Sequence, residues 1–284
     1  MSKKVKDARR VKGISPMTAV VPFIMVNRTG AMNQLADSIE ISKIEQYMRE
    51  KKAEGMANIS FMHIFIASYV RLVSQRPQVN RFIRGQRIWT RKSVEISLTI
   101  KKEMSLESPD TCVKITVKPD ATLKEIYEAL NKEIEEYRAN PGGDFDKTAG
   151  FFSHVPALVF KFAVHTLKTM DYFNILPKFI QKVSPFHCSF FITSMGSLGI
   201  PPVYHHLYDF GTCPVFFAFG AKRRAYELDE NGNFQKRTYI DYKYTLDERI
   251  CDGFYYASSL RLWKNILRNP WQLDEVPTVI CDIE

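Results

Sequence analysis

Five residues within seven positions, Asp247, Glu248, Arg249, Asp252 and Gly253, concentrate the ionisable chemistry of this chain. Carboxylates accept and deliver protons, and a guanidinium holds or balances an anion. The stretch that carries them, Tyr244 to Phe254, reads as a strand running into a helix. After Phe254, Ala257, Leu260, Trp263, Ile266 and Leu267 recur at helical spacing. Four ionisable groups at a packed junction are costly unless they are paired. Such crowding marks functional sites, and it equally marks a structural salt-bridge corner. Spacing alone leaves both readings open.

The elements that must position this corner are legible in part. Pro22 to Val26 reads as a short apolar strand. Ser42-x-x-Glu45 is a capping box for a helix that Gly55 stops. Ser60 caps a more apolar helix over Phe61 to Val73, ended by Arg76-Pro77, with His63 in its first turns as a core or cap histidine. Arg87 to Thr90, Val94 to Ile100 and Cys112 to Val117 carry strand patterns. Thr122-x-x-Glu125 caps a charged helix to about Arg138, and Asn140-Pro-Gly-Gly breaks it. A helical apolar region, about His154 to Ile180, is interrupted near Asp171 and at Pro177. Cys188 to Thr193 is a strand that runs into a glycine-containing turn at Gly196 and Gly199. A hairpin turn around Asn231-Gly232 joins Pro214–Ala225 to Gln235–Leu246, the strand that delivers Asp247 and Glu248.

Composition excludes several classes. The chain has 284 residues, 45% hydrophobic and 25% charged, as a soluble globular protein does. No run approaches the ~20 apolar residues of a membrane span. Five cysteines (Cys112, Cys188, Cys213, Cys251 and Cys281) lack metal-ligand spacing, which suggests free thiols in a cytoplasmic setting and no metal. The adjacent pair His205 and His206 is poor evidence for a metal, because neighbouring side chains diverge. The net charge is +9, and residues 1–14 read as a basic, flexible tail ahead of one domain over 15–284. Tails of this kind are more often solvated than bound, so neither membrane nor nucleic acid is an expected partner. A second basic cluster, Arg81, Arg84, Arg87, Arg91 and Lys92, could attract a polyanion such as coenzyme A or form a solvated edge.

The Asp247–Gly253 segment resembles the signature Asp/His-His-Arg-x-x-Asp-Gly of the chloramphenicol acetyltransferase and dihydrolipoamide acyltransferase superfamily, with Glu248 where that signature has its catalytic histidine. Phe191-Ile-Thr-Ser-Met-Gly-Ser-Leu-Gly resembles a second family motif, Thr-Ile-Ser-Asn-x-Gly-x-x-Gly. Phe61-Met, Asn80 to Ile100 with Trp89, and Cys213-Pro-Val-Phe follow in the family order. No lipoyl-bearing or subunit-binding module is present. The resemblance implies a free-standing domain of α/β class, a two-layer sandwich with a mixed sheet, assembled as a homotrimer with its sites between subunits.

The same resemblance implies coenzyme A or acyl-coenzyme A as substrate and a small hydroxyl or thiol as acyl acceptor. The oxyanion-stabilising hydroxyl falls on Thr193, with Ser194 beside it. Asp252 takes a structural role, holding the loop through an ion pair, with Asp247, Arg249 and Gly253 around it. Glu248 is the exchange on which function turns. Moving a thiol proton from pKa ~8.5 to an ordinary glutamate at ~4.3 is uphill by roughly 5.7 kcal/mol, against roughly 2.7 for a histidine. The exchange therefore costs on the order of a hundredfold in rate. His205 or His206 offers another base, with Glu248 orienting it. A polar loop pair or subunit contact is the plainer reading of both. A catalytically silent coenzyme A-binding or scaffold trimer is the alternative function.

Overall fold

A computed structural model describes residues 8–101, 110–139, 155–278 and 280. Cys281, residues 1–7, His154 and the Asn140-Pro-Gly-Gly breaker lie outside the described residues. The strands are β1 (Ala8–Arg10), β2 (Met32–Glu40), β3 (Arg81–Arg84), β4 (Arg87–Arg91), β5 (Val94–Lys101), β6 (Asp110–Val117), β7 (Phe190–Ser194), β8 (Val215–Leu228) and β9 (Phe234–Asp247). The α-helices are α1 (Pro16–Ile24), α2 (Ser42–Ala53), α3 (Phe61–Gln75), α4 (Leu123–Ala139), α5 (Ala157–Tyr172), α6 (Lys178–Val183) and α7 (Gly253–Arg268).

Six strands form one mixed sheet in the order β2-β9-β8-β7-β5-β6. The β5–β7 and β7–β8 pairs are parallel and the others antiparallel. Alternation along the strands sends Val94, Ile96, Phe190, Ile192, Phe217, Tyr242 and Leu246 to one face. The core helix α3 lies on that face, its Phe65 ring 5.1 Å from Phe217 and 4.9 Å from Phe219. Trp263 of α7 meets Phe217 edge-on at 5.1 Å and donates its indole N–H to Ser68 Oγ at 2.7 Å. That bond satisfies the polar end of a ring otherwise buried in hydrocarbon. The architecture is the expected α/β sandwich.

Several local expectations hold. Ser60 and His63 form a reciprocal cap at the start of α3, the Ser60 amide donating to His63 Nδ1 at 3.1 Å. Thr122 and Glu125 do the same before α4. The β8–β9 turn is organised by Asp229, whose carboxylate accepts from the Asn231 and Asn233 amides.

Others are corrected. Pro22 to Val26 is not a strand: α1 covers most of it, with Ser15 Oγ accepting from the Thr18 amide and Pro16 in the first turn. A short apolar run is ambiguous by periodicity, and cap plus proline decide it. Ser42 does not cap α2. Its amide is taken by Glu40 Oε1 at 2.9 Å, and the Ile41 carbonyl accepts the first helical bond from Glu45. The basic segment is not a free tail throughout, because Ala8–Arg10 pairs with β4 and Val11 is 5% exposed against Ile83 and Ile88. Charge dominates its composition, yet two small apolar side chains suffice to dock it. The second basic cluster is not a solvated edge either. Arg81, Arg84 and Arg91 are buried; Arg84 contacts Asp171 at 3.1 Å, and Arg91 donates to the carbonyl and hydroxyl of Thr212.

The second face of the sheet is crossed by a strap, residues 200–207. Gly220 makes this crossing possible, since a Cβ there would stand 2.5 Å from Pro202 Cδ. The His205 ring stacks on Phe216 at 3.8 Å, and the His205 carbonyl accepts from Thr245 Oγ1 at 2.6 Å.

Candidate functional site

The end of β9 is built around a buried anion. Asp247 is 0% exposed. Arg249 grips it with two parallel bonds, Nε to Oδ1 and Nη2 to Oδ2, each 2.7 Å. Arg28 Nε stands 3.4 Å from Oδ2. Charge-assisted bidentate geometry of this kind makes burial of the pair tolerable. The remaining guanidinium donors reach backbone. Arg249 Nη1 donates to Met25 O and Val26 O just beyond α1, and Arg28 donates to Tyr208 O and Ile83 O. Burial pulls the Arg28 pKa down from its usual range, with Asp247 opposing. The corner thus ties α1, the strap's continuation and the strand end together.

That scaffold presents Glu248. Its amide donates to Ala31 O at 2.9 Å, extending the pairing of β9 with the start of β2. Its half-buried side chain accepts at Oε2 from Asn33 Nδ2 at 2.9 Å. Asn33 has no signal in the sequence reading, because β2 is an exposed edge strand without apolar alternation. Arg28 is likewise missed, since it precedes a segment whose only cue is polarity.

Asp252 serves as the N-cap of α7, Oδ1 accepting from the Tyr255 amide at 2.8 Å. It is exposed and makes no ion pair among the described residues, so the ion pair implied for it is replaced by a cap. This is sufficient to hold the loop, as a cap satisfies a helix-end amide. Gly253 opens α7 with nothing within 4 Å of where a Cβ would stand, so packing does not require glycine there.

Thr193 and Ser194 end β7, and alternation points their side chains to opposite faces. Thr193 faces the strap side with Phe191. Its hydroxyl has no hydrogen-bond partner among the described residues. Across the ladder Thr193 lies opposite Ala218, and Ala218 opposite Lys243, five residues before Glu248. At ~3.3 Å per residue and ~4.8 Å per strand, Thr193 and Glu248 of one chain stand roughly 19 Å apart.

His205 and His206 lie between these ends. Their Nδ1 atoms sit 2.7 Å from His206 O and 3.1 Å from Leu207 O, respectively. Their rings stack on each other at 4.7 Å. Burial lowers the His205 pKa. Neither ring contacts Glu248 among the described residues. Stacking on Phe216 and the bond from Thr245 Oγ1 to its carbonyl give His205 a packing role in the strap.

The fold has close structural counterparts. The chain superposes on a dihydrolipoamide acetyltransferase of Azotobacter vinelandii with a TM-score of 0.58 at 13% identity, over 93% of this chain and 94% of that one. That enzyme was studied for the role of a serine, a histidine and an asparagine in its catalytic mechanism. The truncated catalytic core of the 2-oxoacid dehydrogenase multienzyme complex from Thermoplasma acidophilum matches at 0.54 and 12% identity, over 92% and 99% of the two chains. A chloramphenicol acetyltransferase matches at 0.53 and 10% identity, over 92% and 99%. No protein-family model matches the chain. No curated protein sequence matches it either. At these identities the likeness defines the fold, which is that of the chloramphenicol acetyltransferase-like and 2-oxoacid dehydrogenase acyltransferase cores.

Among the described residues no helix is long and apolar enough to cross a membrane, and no cluster of His, Cys, Asp and Glu is arranged to hold a metal.

Proposed function

We propose that this protein transfers an acyl group from a coenzyme A thioester to a small hydroxyl or thiol acceptor, as a homotrimer with sites between subunits. The observation that carries the reading is the anchored Asp247–Arg249 pair, which presents the Glu248 carboxylate on Asn33 at the end of the sheet. The acyltransferase fold supports it.

In this reading Glu248 takes the proton of the acceptor, or orients a group that does, and Asn33 fixes which oxygen faces the acceptor. The unpartnered Thr193 hydroxyl donates to the tetrahedral oxyanion. Because the two lie roughly 19 Å apart in one chain, Thr193 of one subunit would meet Glu248 of its neighbour. In the Azotobacter enzyme the studied histidine and asparagine are four positions apart, the spacing of Glu248 and Asp252 here. The four free cysteines among the described residues support a reducing, cytoplasmic setting.

A catalytically silent coenzyme A-binding or scaffold trimer is the second reading. One observation favours it: a carboxylate stands where the related signature has an imidazole. Free-thiol release from acetyl-coenzyme A, measured with a panel of small acceptors, separates the two. Turnover that disappears in Glu248→Ala supports the acyltransferase. Coenzyme A binding without turnover in wild type supports the silent trimer. Turnover unchanged in Glu248→Ala removes Glu248 from the chemistry and directs attention to His205 and His206.

A further inference from the structure

Residues 31–33 hold Glu248 at both its backbone and its side chain. The Glu248 amide donates to Ala31 O at 2.9 Å, and Oε2 accepts from Asn33 Nδ2 at 2.9 Å. The carboxylate is therefore placed only as well as the backbone from Ala31 to Asn33. That backbone opens an edge strand, which β9 supports from one side. It emerges from a tight turn, Thr29–Ala31, closed by the Ala31 amide on Arg28 O at 3.0 Å. The residue preceding the turn supplies no side-chain cap, so local sequence does little to fix it.

A carboxylate 180 positions away supplies the missing acceptor. Asp209 Oδ1 accepts from the Thr29 amide at 2.9 Å and from Thr29 Oγ1 at 2.8 Å. Burial opposes ionisation of Asp209, but the Thr29 bonds and the Arg28 charge outweigh it and hold the carboxyl below its usual range. The strap's continuation lies along the same segment. Arg28 Nη1 donates to Tyr208 O at 2.6 Å, and the Leu207 amide sits 3.1 Å from Met32 Sδ. Asp209 itself makes no contact with Glu248 among the described residues. Its influence runs through Thr29 to the Ala31 carbonyl and the Asn33 amide.

We propose that Asp209 is a positioning residue for Glu248, clamping the turn on which that carboxylate rests. The inference rests on the acyl-transfer reading of Glu248. A displacement of about 1 Å far from the reacting atoms can cost on the order of a hundredfold in rate. An exposed clamp of this kind therefore matters for geometry more than for global stability.

Steady-state kinetics with acetyl-coenzyme A tests it. Asp209→Ala should lower kcat roughly tenfold and leave the KM for acetyl-coenzyme A unchanged. Asp209→Asn keeps an accepting oxygen and should retain most of the rate. Combined with Asn33→Ala, Asp209→Ala should cost less than the product of the two single losses, because both act on one carboxylate. Glu230→Ala, an exposed carboxylate in the β8–β9 turn, should change nothing. Hydrogen exchange at the Glu248 amide reads the same link without turnover, and should quicken in Asp209→Ala but not in Asp209→Asn. Thr29→Val removes one of the two bonds and should lower kcat by a smaller factor, a test that stands where Asp209→Ala fails to fold. Wild-type kcat in Asp209→Ala or Thr29→Val beside an inactive Glu248→Ala would overturn the proposal. So would an equal loss in Asp209→Asn and Asp209→Ala, or Glu248 exchange unmoved by Asp209→Ala. Wild-type turnover in Glu248→Ala would instead remove the reading on which the proposal rests.

Discussion

Thr193 and Glu248, the two residues assigned to the oxyanion and the proton, are separated by two strands and five residues of register, roughly 19 Å, within one chain. No side-chain rotation spans that gap. A reaction that uses both would have to draw them from different subunits, as the proposed trimer allows.

Glu248 itself gives the first prediction. Glu248→Ala should abolish thiol release, and Thr193→Val should raise the barrier by roughly 2.7–4 kcal/mol, the scale of one lost oxyanion donor. Asn33→Ala frees the Oε2 oxygen that Asn33 now holds. It should lower kcat with little change in melting temperature, because Asn33 is exposed. Glu248→His restores an imidazole and should raise turnover. Steady-state kinetics with acetyl-coenzyme A checks all four.

The Asp247 corner gives the second. Asp247→Ala leaves Arg28 and Arg249 buried around a missing anion. Breaking a buried pair from one side costs about 3–5 kcal/mol. Urea denaturation should show that loss. A change below 1 kcal/mol (about the worth of a surface pair) would mean that water reaches the corner.

The third concerns the amino-terminal strand. Deleting residues 1–12 removes the buried Ala8 and Val11 and the pairing of β1 with β4. The expected cost is about 2 kcal/mol from apolar burial, a fall in Tm of roughly 4 °C. A melting curve unchanged by the deletion would show that the strand is not docked in solution.

The fourth is a pH dependence. Burial pushes His63 down to about 4, and its Nδ1 accepts from the Ser60 amide, a role open only to the unprotonated nitrogen. The unfolded chain binds this proton near pH 6.5. His63 therefore adds stability above that pH, and the contribution is lost as pH falls from about 6.5 to about 4. The full effect is about 3 kcal/mol. His63→Gln, which can still accept at the cap, should show a shallower loss of stability between pH 7 and pH 4.5. Parallel profiles for the two proteins would remove His63 from the acid sensitivity.

What the sequence shows and hides follows from the range of each interaction. The Ser60–His63 and Thr122–Glu125 caps and the Asp229 turn were legible because all their partners lie within four residues. The core strands were legible because both faces of β7 and the first half of β8 are buried, leaving continuous apolar runs. β2 was not, because an edge strand open to water carries Met-Asn-Gln-Leu-Ala-Asp-Ser with no period to read. Asn33 meets Glu248 across 215 positions, and Arg28 reaches Asp247 across a similar span. Such contacts leave no mark in local pattern. The Glu248 corner was visible as a cluster of charges, while the division of labour within it was not. Asp247 is the buried anchor, Glu248 the presented carboxylate and Asp252 a helix cap.

The most direct test is complementation between two inactive chains. Thr193→Val keeps Glu248 and Glu248→Ala keeps Thr193, so co-expression rebuilds an intact pair wherever the two chains meet in the right order. Random assortment in a cyclic oligomer predicts about one quarter of the wild-type rate of thiol release. Recovery to that level, with each variant alone near background, is the result this account predicts. No recovery from the mixed oligomer would contradict it, since two residues acting from different subunits must complement.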